Sequence, residues 1–160
     1  MPRPISTRRR DRWLDGRIDA LQLLGLRRST LDELDWHAHS LFLGGRPADA
    51  ARLYDLMANL APLDVRPWRG RGACRATLGL DAEAEADFDR ALAIDPADPF
   101  ALAGRAEVCL RSGRSAEALV DAEAALRACD RDRRAAADLA PRARRLRDLA
   151  AIGDGRPIAD

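Results

Sequence analysis

The chain repeats itself every 34 residues. Slid by that step, Gly45, Gly79 and Gly113 coincide, as do Ala50, Ala84 and Ala118, and Ala38, Gly72 and Ala106. Tyr54 and Phe88 fall in register with Ala122, Met57 with Ala91 and Ala125, and Pro62 and Pro96 with Asp130. Three copies follow one another without a gap, at 31–64, 65–98 and 99–132. A period of this length marks an array of like supersecondary units, each completing its core against its neighbours.

Within each copy the pattern predicts two helices. The first covers about 14 positions, with a face at positions 4, 7, 8 and 11; in the second copy these are Trp68, Arg71, Gly72 and Arg75. A glycine near position 15 ends it by adopting positive φ. The second helix carries small and aromatic residues at positions 20, 24 and 27, and Pro62 and Pro96 help to stop it. Small residues at positions 8 and 20 let the two helices approach closely. With aromatics at only 4% and alanine recurring throughout, the expected class is all-α.

The spacing resembles the tetratricopeptide repeat, whose W…G…Y…A…F…A…P skeleton is followed best by Trp68, Gly72, Gly79, Ala84, Phe88, Ala91 and Pro96. The organisation expected from it is a flexible basic N-terminus (1–10), an N-terminal helical segment (11–30), three repeats (31–132), a C-terminal capping helix (133–152) and a tail (153–160). The N-terminal helix should run from Asp11 to Arg28. Thr30 and Glu33 have the spacing of a capping box that opens the first repeat. A helix over Arg133 to Ala151 should cover the last repeat's apolar edge, kinked or divided at Pro141.

The motifs that suggest chemistry do not survive inspection. In the stretch WRGRGACRATLG (68–79), Gly70-x-Gly72 lacks the preceding strand and third glycine of a dinucleotide fingerprint, and a chain without lysine has no Walker loop. Cys74 beside Arg75 has the look of an activated thiolate, yet the repeat places no histidine or acid to pair with it. His37 and His39 diverge on a helix and cannot share a metal. The acidic run 81–89 reads as a solvated face. No catalytic residue, metal site or cofactor is expected, and the chain is read as not an enzyme.

All 27 basic residues are arginine, and their distribution is uneven. Residues 1–12 hold five arginines against one acid, residues 31–130 hold eleven against eighteen, and residues 131–148 hold seven against three. An acidic body between basic ends argues against nucleic-acid binding by the whole domain. Three cysteines without a CxxC pair or secretory signal fit a reducing cytoplasm, and no apolar run is long enough for a bilayer.

What remains is the surface that stacked helix pairs create, with the first helices lining the concave side. Positions 2, 5, 9, 12 and 13 should face this groove. They are Asp32, Asp35, His39, Phe42 and Leu43; Arg66, Arg69, Ala73, Ala76 and Thr77; and Phe100, Ala103, Glu107, Leu110 and Arg111. Apolar anchors, small floors and charges of both signs suit an extended peptide. Asp35 and His39 would repel the C-terminal carboxylate that clamp-type repeat domains bind.

Gly70-Arg71-Gly72-Ala73-Cys74-Arg75 followed by Gly79, and Ala106-Glu107-Val108-Cys109-Leu110, resemble strings of the class II chaperones of type III secretion systems. The likeness covers roughly residues 12–150. It implies a cytoplasmic, non-enzymatic virulence chaperone whose groove holds an N-terminal segment of a secreted translocator before export. It also implies a homodimer through the N-terminal helix, here with Trp13, Ile18, Leu21 and Leu24. His37, Arg71 and Arg105 depart from the apolar residue usual at position 7; they should either snorkel or make the groove more charged. A general repeat scaffold in another assembly remains the alternative, and a regulator whose basic ends meet nucleic acid is a third reading.

Overall fold

The computed structural model describes residues 5–15, 20–131 and 133–155. Its described elements are all helices: α1 (Thr7–Leu14), α2 (Ala20–Leu24), α3 (Arg28–Leu43), α4 (Pro47–Leu60), α5 (Val65–Thr77), α6 (Asp81–Ile94), α7 (Pro99–Arg111), α8 (Ser115–Cys129) and α9 (Arg133–Gly153). The pairs α3/α4, α5/α6 and α7/α8 are three tetratricopeptide-type hairpins, and α9 packs on α8 and α7 as the next first helix would. First helices also touch one another along the stack (α3 on α5, α5 on α7, α7 on α9), and second helices make no comparable contact. The first helices therefore converge on the inner side of a curved array.

Local sequence explains each hairpin. Gly45, Gly79 and Gly113 all have φ between 73° and 76°, just past the first helix of each pair. Each such end is closed by the same backbone bond, from Arg46 N–H to Leu41 O, Leu80 to Arg75 and Arg114 to Cys109, all at 2.9 Å. This is the Schellman arrangement. Entry into α5 and α7 is fixed by carboxylate caps: Asp64 accepts from Arg66 N–H at 3.0 Å and Asp98 from Ala101 N–H at 2.7 Å.

The core forms two clusters. One joins Leu21, Leu31, Ala38, Ala50, Tyr54, Met57, Leu60 and Cys74; the other runs from Ala84 and Phe88 through α7 and α8 to Leu139, Ala143 and Leu146 of α9. Aromatic rings lock successive hairpins through a glycine column that the period alone does not single out. The Tyr54 ring lies where a Cβ on Gly70 would stand, and the Phe88 ring does the same at Gly104 and at Gly72. Tyr54 and Phe88 share position 24, and Gly70 and Gly104 share position 6 of the following repeat. Gly72 meets the ring of its own repeat.

Several expectations at the ends need correction. α1 begins at Thr7, so residues 7–10 of the expected flexible arm are helical; residues 1–4 and 156–160 lie outside the described residues. The segment 11–28 is not one helix, because α1 ends at Leu14 and α2 closes at Gly25 with φ 73°. The Thr30/Glu33 capping box is absent. α3 starts earlier, at Arg28, and its N-cap Arg27 makes no side-chain capping bond. Pro141 does not divide α9, which is helical on both sides of it. α1 buries none of its residues and packs against α2.

Candidate functional site: the concave groove

The contacts among first-helix side chains define the groove. Arg66 donates from Nη1 to Asp32 at 2.7 Å across the α3–α5 step, and the same nitrogen stands 4.0 Å from Asp35. Arg69 donates to Asp98 at 2.5 Å, and its guanidinium lies 4.8 Å above the Phe100 ring. Arg111 bonds Glu107 at 3.2 Å and Asp81 at 2.6 Å, while Arg142 of α9 pairs with the other oxygen of Glu107. These contacts join Asp32 and Asp35 to Arg66, set Arg69 over Phe100, and pair Glu107 with Arg111. His39, Leu43 and Thr77 are exposed, and Ala73, Ala76 and Leu110 are half-buried between them. Phe42 is half-buried and packs on the first core cluster.

Two predicted site residues are placed otherwise. Ala103 is fully buried, so it sets the spacing of α5 and α7 and offers the groove no surface. Leu21, expected at a dimer surface, is 2% exposed and belongs to the first core cluster beside Leu31 and Tyr54. Trp13 and Leu24 are exposed, and Ile18 lies outside the described residues.

Most of the groove's cations are already neutralised. Arg66 chelates Asp64 through Nε and Nη2 besides holding Asp32. Burial alone would lift the Asp64 carboxyl, but hydrogen bonds from the Arg66 side chain and backbone hold it below the usual range. Asp35 goes the other way: burial pushes its carboxyl up, only partly opposed by Arg66 and Arg69.

The arginines at position 7, Arg71 and Arg105, neither snorkel nor charge the groove. Arg105 forms a fork on Asp121, at 2.7 Å from Nε and 2.8 Å from Nη2, and reaches Asp89 of the preceding repeat at 2.6 Å. Arg71 repeats this one period earlier, with Asp87 at 2.9 and 2.6 Å and Asp55 as the preceding carboxylate. Arg75 adds a bond to Asp87 at 2.7 Å. An arginine thus ties its own second helix to the previous one. Asp87, placed by the sequence on a solvated face, is 3% exposed and holds this joint. In the first repeat the position-7 residue is His37, exposed with its ring 4.9 Å from that of Trp36.

The chemistry suggested by WRGRGACRATLG is not supported by its surroundings. Cys74 is fully buried, and burial, with the Asp87 charge, pushes its thiol up to about 12. It is protonated at neutral pH and packed against α4, the opposite of a reactive cysteine. A cleft of about 370 Å³ between α6 and α8 is lined by Glu85, Asp89, Glu117 and Asp121. Each of these carboxylates is already paired with Arg105 or Arg114. Among the described residues no cluster could hold a metal ion, and no helix is long and apolar enough to cross a membrane.

No protein-family model matches the chain, and no curated protein matches it. Solved structures do. The type III secretion translocator chaperone SycD of Yersinia enterocolitica superposes with a TM-score of 0.73 at 23% identity, over 81% of this chain and 96% of SycD. PcrH in complex with the chaperone-binding region of PopD gives 0.72 at 25% identity, over 81% and 97%. The TPR2B domain of yeast Sti1, in a pHsp70 complex, gives 0.68 at 25% identity, over 76% and 95%. The repeat fold read from the 34-residue period is thus the fold of solved tetratricopeptide domains, and the chain has the architecture of the type III secretion translocator chaperones.

Proposed function

We propose that this protein is a non-enzymatic, cytoplasmic chaperone of a type III secretion translocator, holding an extended segment of that client in its concave groove before export. The observation that supports the reading is that the first helices α3, α5 and α7 touch one another along the stack and carry apolar, small and charged side chains interleaved. Two structural neighbours support it, since SycD has been solved with a peptide of the translocator YopD and PcrH with the chaperone-binding region of PopD. The task needs a surface that covers an aggregation-prone segment and releases it, and no bond has to be made or broken. An interface of about 1,000–1,600 Å² gives usable affinity.

A clamp-type alternative requires a groove that attracts a terminal carboxylate. Asp35 and Asp32 at the α3 end oppose that ligand. We further propose an N-terminal segment ahead of the repeats at 31–132, followed by a cap that begins at Arg133 and a short tail. In the N-terminal segment the exposed Trp13 and Leu24 are the dimer contacts; SycD itself has been solved in an alternative dimer.

The test is co-expression with the proteins encoded beside this chain, followed by pull-down. The expected partner is a large protein with two apolar helices. Ala73→Arg, or Leu110→Glu, abolishes its capture while helicity stays unchanged. Undiminished capture by Ala73→Arg sinks the groove assignment, and a soluble globular partner would favour a scaffold.

A further inference from the structure

The groove's charges are unevenly satisfied. Asp32 and Asp64 are held by Arg66, Asp98 by Arg69, Asp81 by Arg111, and Glu107 by Arg111 and Arg142. Asp35 is the exception. Its nearest guanidinium nitrogen is 4.0 Å away, and that atom already donates to Asp32 at 2.7 Å. Three carboxylates, of Asp32, Asp35 and Asp64, therefore crowd the Arg66 guanidinium, while Arg69, whose charge also reaches Asp35, donates its hydrogen bond to Asp98. His39, one turn further along α3, and the Tyr54 phenol are the other titratable groups that sense Asp35.

Asp35 is also partly withdrawn from water, with its side chain one-third exposed. A carboxylate in that setting gains from any donor that reaches it. The Tyr54 ring passes Gly70, between α4 and α5, and its phenol feels the Asp35 charge. The subsite thus gathers three carboxylates around Arg66, with Asp35 the least closely paired of them. We propose that Asp35 is a specificity residue of the groove, and that the segment bound there carries an arginine or lysine whose side chain pairs with it. This rests on the groove reading above and adds a chemical requirement on the client.

The probe is a random 12-residue peptide library displayed on phage, panned in parallel on the full chain and on its Asp35→Asn, Asp35→Arg and Ala73→Arg variants. Circular dichroism checks that each variant keeps its helices. Peptides selected by the unaltered chain should share apolar residues at fixed spacing and one basic residue at a fixed offset. Replacing that residue by glutamine should weaken binding about ten- to hundredfold, as expected for a charge-assisted bond, and have little effect on Asp35→Asn. Asp35→Arg should select an acidic residue at the same offset. Apolar-anchored peptides without a basic preference, or an equal glutamine penalty on both proteins, overturn the role of Asp35 and leave the groove intact. Peptides that still bind Ala73→Arg, or no selection at all, overturn the groove reading and this inference with it.

Discussion

The joint made by Arg105 allows a quantitative test of how successive repeats are held. Asp121 is 5% exposed, and Arg105 is the cation that forks onto it. Arg105→Leu installs the apolar side chain that repeats of this kind usually carry at position 7, yet strands a buried carboxylate. Removing one partner of a buried pair costs about 3–5 kcal/mol. Arg105 keeps 29% of its side chain exposed, so water relieves part of that and about 2–4 kcal/mol is expected. For a chain of this size that is a fall in melting temperature of roughly 5–15 °C. Replacing both partners, Arg105→Leu with Asp121→Leu, removes the stranded charge and should return stability to within about 1 kcal/mol of the parent. Asp89→Ala removes only the exposed partner and should cost less than about 1 kcal/mol. Urea denaturation of these three variants and of Asp121→Leu alone measures the coupling. If Arg105→Leu is neutral, or the double variant loses the sum of the single effects, the ion pair does not hold the repeats together.

Other consequences follow from the same contacts. Gly70→Ala in an open helix would stabilise by about 1 kcal/mol, but here the new Cβ meets the Tyr54 ring, so a net loss of about 1–3 kcal/mol is expected by thermal melting. Combining it with Tyr54→Leu should cost less than the sum of the two changes. All three cysteines are buried, so labelling by a thiol reagent at pH 8 should occur only as fast as the chain opens; rapid labelling of Cys74 would contradict its packed position. Arg111 and Arg114 hold Asp81 and Glu85 below the usual carboxylate range, so the unfolded chain takes up protons first as pH falls. Their contribution should be complete above about pH 5 and disappear through the range below it, read as a falling denaturation midpoint that Asp81→Asn and Glu85→Gln flatten. Asp35 has the opposite sign: Asp35→Asn should raise the melting temperature at pH 7, with the gain shrinking in acid.

The repeat was legible because period, glycine stops and small-residue columns are properties of the chain itself. Gly45, Gly79 and Gly113 announce helix ends through the positive φ that only they adopt easily. What sequence reading lost are pairings between columns. Arg71 and Asp87 are 16 residues apart, as are Arg105 and Asp121, but taken singly the arginines read as snorkelling or groove charges and Asp87 as part of a solvated face. Gly70 had no visible reason until the Tyr54 ring was seen against it. The ends fared worse, since α1 and α2 lie outside the period and the first helix starts before its apparent capping box. In the groove, position numbers located the surface but could not tell that Ala103 is closed off by its neighbours.

The central claim is that one face of the array, the inner one, receives the client. Photo-crosslinking from a benzoyl-phenylalanine placed at Thr77 in the groove, and separately at Asn59 on α4 or Glu123 on α8, tests this in the co-purified complex. All three positions are exposed in the free protein. The groove reading predicts that Thr77 alone captures the client, at one short segment near its N-terminus. Capture from Asn59 or Glu123 with equal yield, or from Thr77 at scattered sites along the client, would contradict it.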